Sequence, residues 1–159
     1  MTVRTHRAQH RTLYAWGRST DTPAADARQH LRCALTDLNV APDELDDALV
    51  MASELVTNAH LHATGPYELR LRTTPVDIIV EVRDRSTAVP PPVEAPTGSL
   101  FAPRPEDRGA GIDALLAQLT ERGRGLQIVH QLSRGCWGFC VHSGFKIAWY
   151  ALALPRAAN

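Results

Sequence analysis

Between Asp43 and Asp84 the apolar residues change their repeat, and that change limits what the chain can fold into more than any other feature. Leu45, Ala48, Leu49, Ala52, Leu55, Val56, Ala59 and Ala63 fall on one helical arc, from about 280° through 0° to 40° when counted from Leu45 at about 100° per residue. Gly65-Pro66 ends that helix. Beyond it, Tyr67, Leu69 and Leu71 alternate in YELRLRT, and Val76, Ile78, Val80 and Val82 alternate in VDIIVEVRD. Each run predicts a strand with one buried face, and Thr73, Thr74 and Pro75 join the two as an antiparallel hairpin. A long one-sided helix followed by a one-sided hairpin demands layers, with the helix covering the sheet.

The remaining segments extend the same pattern. Residues 1–11 read as a polar tail and Thr12 to Gly17 as a short edge strand. Asp21 or Thr22 can cap a first helix, with Pro23 in its first turn and Ala27, Leu31, Ala34, Leu35 and Leu38 on its buried side. Thr87 to Pro105 is rich in proline and has no period, the pattern of a long loop, and long loops in compact domains are frequently lids or binding loops. Gly111 to Leu119 reads as a short helix. GRGLQIVHQL (Gly123 to Leu132) is a glycine turn running into a helix, and CWGFCVH and FKIAWYALAL are two closing strands. The expectation is one domain over residues 12–155: a two-layer α+β sandwich with a mixed, mostly antiparallel sheet and its helices on one face.

Bulk composition narrows the partners. Seventeen Lys and Arg balance 17 Asp and Glu in 159 residues, so no excess positive field points to nucleic acid. No apolar run approaches the roughly 20 residues that span a bilayer. Neither nucleic acid nor membrane is expected as a direct partner. The odd count of Cys33, Cys136 and Cys140, without an export signal, suggests reduced thiols and a cytoplasmic location. Cys136 and Cys140 share parity on a presumed strand and read as small buried hydrophobes.

Three places carry chemistry-bearing residues. Glu54, Asn58 and His62 recur every four residues on the long helix and form a polar stripe at about 180°, 220° and 260°. The amide oxygen of such a pair can ligate a hard cation such as Mg²⁺, and the carboxylate one turn earlier can orient or deprotonate a nucleophile; a solvated helix face is the plainer alternative. Asp84 ends a strand and can accept from an exocyclic amine such as that of adenine, or simply start an Asx-turn. Gly123-Arg124-Gly125-Leu126 enters a helix, where bare backbone N–H groups can face an anion, although such a junction is also ordinary loop structure. His60 and His62, two apart on a helix, point in different directions and make a poor metal pair.

Together, ELVTNAHLHA (Glu54 to Ala63), VEVRDRS (Val80 to Ser86) and GRGLQIV (Gly123 to Val129) resemble the N box and the two glycine boxes of the GHKL ATPase superfamily. The resemblance is nearer to its single-domain branch of anti-sigma factor serine kinases. It implies the Bergerat ATP-binding fold, with ATP and Mg²⁺ as cofactors. Glu54 would be the catalytic base and Asn58 the Mg²⁺ ligand. Asp84 would bind the adenine amine, with Ser86 where a glycine often stands, and Gly123, Arg124, Gly125 and Leu126 would approach the phosphates. Residues 93–121 would be the lid. Relatives of this kind are typically homodimers that bind a sigma factor or phosphorylate a serine on an antagonist protein. Two departures temper the kinase expectation: the long lid, and Ile147 where the resemblance places a threonine that supports the adenine site. A non-catalytic, partner-binding regulator is therefore the alternative.

Overall fold

The computed structural model describes residues 9–90 and 124–156. Within them the chain runs β1 (Gln9–Trp16), α1 (Pro23–Asp37), α2 (Pro42–His62), β2 (Tyr67–Thr73), β3 (Asp77–Asp84), α3 (Gly125–Leu132), β4 (Trp137–His142) and β5 (Phe145–Ala153). The strands form one sheet in the order β1-β2-β3-β5-β4, antiparallel at every pairing, and the helices pack on one face of it. This is the expected α+β sandwich, consistent with a Bergerat-like ATP-binding fold.

The register explains the core. Tyr14, Leu69, Val82, Ala148 and Phe139 are successive partners across all five strands, and Leu71, Val80, Tyr150 and Trp137 form the next row. Both rows meet the helices, where Leu31 and Leu35 of α1 and Ala48, Ala52, Leu55 and Val56 of α2 are buried with them. Tyr150 ties the layers together, its hydroxyl donating to Ala48 O at 2.7 Å. Arg28 of α1 donates to Ser53 Oγ of α2 at 3.0 Å. The β2–β3 turn closes on Thr74, whose N–H donates to Asp77 O and whose hydroxyl accepts from the Asp77 N–H, both at 2.9 Å.

Some expectations need correction. β1 begins at Gln9, so Gln9 to Arg11 belong to an edge strand and not to a tail. Val76 lies before β3 and is 62% exposed, so the buried alternation starts at Ile78. Pro23 does open α1, but Thr22 precedes it without a side-chain cap bond. Cys136 and Cys140 are exposed, as is Cys33, because Cys136 precedes β4 and Cys140 pairs with Ile147 on the face turned away from the helices. Residues 1–8, the lid at 93–121, the short helix at 111–119 and Gly123 lie outside the described residues.

Candidate nucleotide site

Helix α2 is the spine of the site because the sheet, α1 and α3 all pack against it. Its apolar arc lies on the sheet, and α3 packs against it from elsewhere. That second contact buries Glu54 to 2% exposure, although the helical count places it opposite the apolar arc. The contact is intimate at one point: a Cβ on Gly125, the first residue of α3, would collide with Glu54 Oε2. Gly125 does not have a positive φ, so what glycine provides there is room for the carboxylate and not backbone freedom. A carboxylate at a helix N-terminus is electrostatically well placed.

Along α2 the polar stripe grades outward. Asn58, one turn or about 6 Å beyond Glu54, is half-buried, and His62 is exposed. Among the described residues no three His, Cys, Asp or Glu side chains gather into a metal site. A Mg²⁺ ion held here would take one amide oxygen from Asn58 and most of its remaining ligands from phosphate and water, as this ion habitually does.

The end of β3 is built differently. Asp84 closes β3, the middle strand, and its side chain follows Ile78, Val80 and Val82 onto the helix face, where it is 2% exposed. Arg85 N–H donates to Thr64 O at 2.8 Å, which holds this strand end against the exit of α2. Ser86 N–H donates to Asp84 Oδ1 at 2.8 Å, an Asx-turn, and Ser86 Oγ accepts from the Ala88 N–H at 3.2 Å. Across the ladder stands Lys146, with its Nζ 3.5 Å from Asp84 Oδ2. Burial pushes the Asp84 carboxyl above the usual aspartate range, while the Ser86 N–H and the Lys146 ammonium pull it back.

Residues 18–138 match the histidine kinase-like ATPase domain. The chain belongs to that family. A comparison with curated proteins finds no match. Membership in this GHKL ATPase family points to an ATP-binding regulator with kinase-like activity, and the matched stretch contains α1, α2, β2, β3 and α3. β5 lies beyond it. Among the described residues, no helix of this ATPase domain is long and apolar enough to cross a membrane.

The structure thus joins Glu54 to Gly125, and Asp84 to Ser86. Arg124 immediately precedes α3, and Leu126 is half-buried in its first turn. Ile147 is not brought to Asp84. It pairs with Arg83 and shares that residue's face, whereas the partner of Asp84 is Lys146. The residue that the register brings beside Asp84 is therefore Lys146, one residue before Ile147 and chemically unlike it. A cavity of about 370 Å³ at the end of β3 away from Asp84 is lined by Glu44, Asp47, Met51, Asp77, Leu132 and Arg134.

Proposed function

We propose that this ATPase domain is a cytoplasmic, homodimeric regulator of the anti-sigma type, which uses ATP and Mg²⁺ to phosphorylate a serine on an antagonist protein, sequesters a sigma factor, or does both. The observation that carries the proposal is Glu54, buried against Gly125 at the start of α3. A carboxylate there adjoins a helix terminus of the kind that suits a phosphate group, which supports its role as base toward a serine hydroxyl attacking that phosphate.

Each residue then has a task. Glu54 takes the hydroxyl proton as the serine oxygen attacks. The Asn58 amide oxygen would hold the metal, and the backbone of Arg124, Gly125 and Leu126 would lie along the phosphates. Asp84, with Ser86 bracing it, faces the base. Bound Mg²⁺ would neutralise phosphate charge, while the chain's own part is positioning, which is most of what phosphoryl transfer asks of a protein.

A second reading, a partner-binding regulator without turnover, is favoured by one observation: Lys146 already stands beside Asp84. Glu54→Ala separates the two. Under the kinase reading the variant retains ATP but loses transfer to an antagonist captured from native extract, by about 10²–10⁴-fold. Transfer at the wild-type rate would remove Glu54 as the base, and absence of transfer by the wild type to any captured partner would favour the second reading.

A further inference from the structure

Lys146 is 4% exposed and does not behave as a surface lysine. Its ladder position, two residues beyond the Val82–Ala148 pair, turns it to the helix face beside Asp84. Its ammonium donates to Ala88 O at 2.8 Å, stands 3.5 Å from Asp84 Oδ2, and lies 5.6 Å from the centre of the Phe139 ring. The Ser86 N–H takes Asp84 Oδ1. Both carboxylate oxygens are therefore engaged from within the chain, one by the backbone and the other by a cation.

That arrangement bears on what a nucleobase meets. The exocyclic amine of adenine is a neutral donor, whereas Lys146 is a charged one, and charge-assisted contacts to carboxylates are the stronger kind. The ammonium is also tethered, so it competes without the loss of translational freedom that an arriving ligand suffers. An amine can approach Asp84 only by sharing it with the ammonium or displacing it. A purine carrying a 6-oxo group, or no 6-substituent, has no 6-amine to satisfy there.

We propose that Lys146 is a built-in occupant of the base site, holding the Asp84 carboxylate that a 6-amino group would use, so that the chain binds purine nucleotides through their phosphates and discriminates little between 6-amino, 6-oxo and unsubstituted rings. The proposal rests on reading Asp84 as the base-facing residue. It goes beyond that reading by assigning a specificity role to a residue of β5, outside the stretch matched by the family.

The test is calorimetric titration with the Mg²⁺ complexes of ATP, GTP and purine riboside triphosphate, which lacks the 6-substituent. Wild-type protein is expected to bind all three within about threefold, and Lys146→Thr to bind ATP about tenfold tighter with no gain for purine riboside triphosphate, the worth of one recovered hydrogen bond. Wild-type preference for ATP over purine riboside triphosphate above about tenfold would overturn the proposal, as would a folded Lys146→Thr protein that treats the three alike. If the variant does not fold, the wild-type ratio decides alone. Failure of the nucleotide reading looks different: neither protein then binds any of the three, which also overturns the role of Lys146.

Discussion

Gly125 opens helix α3 directly against the carboxylate of Glu54, and the absence of a side chain at Gly125 permits the contact. The glycine motif therefore serves an internal purpose before any ligand is considered: it lets a helix start reach a buried acid.

Gly125→Ala tests that relationship. The added methyl meets the far end of a flexible side chain, so the Glu54 carboxylate can turn aside and the fold should survive. Destabilisation is expected at the low end of overpacking, about 1 kcal/mol, while phosphotransfer falls as far as in a Glu54 variant. Denaturant unfolding measured alongside transfer checks both parts. Full activity with an intact fold would show that the position of Glu54 does not matter.

Tyr150→Phe probes the tie between the layers. The hydroxyl is buried and donates to Ala48 O at 2.7 Å, so its loss should lower unfolding free energy by about 1 kcal/mol. Nucleotide affinity should not change, because the bond is made on α2 well before Glu54. Unchanged stability would mean that the sheet and α2 are held by apolar packing alone.

Asp47 gives a pH dependence with a definite sign. Asp47 is exposed, and partial desolvation with its neighbours Asp43 and Asp46 raises its carboxyl above the ordinary value of 3.8, against a smaller pull from Arg134. A raised acid binds its proton more tightly in the folded state, so its contribution to stability is complete below 3.8 and is lost as the pH climbs through the raised value. Asp47→Asn should match wild type in melting temperature near pH 3 and exceed it at pH 7. A variant less stable than wild type at pH 7 would contradict this.

Cys33, Cys136 and Cys140 are exposed and free, so all three thiols should react with an aromatic disulfide reagent in native buffer. Reaction only after denaturation would contradict the outward positions of Cys136 and Cys140.

Much of the architecture could be read from local pattern. The limits of α2 fall within a residue of those expected, and β2 matches YELRLRT throughout, because period and punctuation agree there. Local pattern failed where a second layer decided the outcome. Nothing in the spacing of Glu54 says that α3 covers it, so the helical count left it facing solvent. β5 misleads more directly. Phe145, Ile147 and Trp149 are its bulkier apolar set, yet Lys146, Ala148 and Tyr150 face the core. The Arg83 guanidinium sits 4.1 Å above the centre of the Phe145 ring, which explains part of the shelter on the outer face. The available clue was antiparallel pairing: once β3 and β5 are neighbours, a strand that ends on Asp84 brings Lys146 to it.

The account depends most on a metal-dependent nucleotide site along α2, and calorimetric titration of ATP with and without Mg²⁺, on wild type and Asn58→Ala, tests that claim most directly. Wild type should bind saturably and more tightly with Mg²⁺, and Asn58→Ala should lose the metal-dependent gain while keeping its melting temperature. Equal affinity and equal metal response in the two proteins would contradict the assignment of Asn58 and the account built on it.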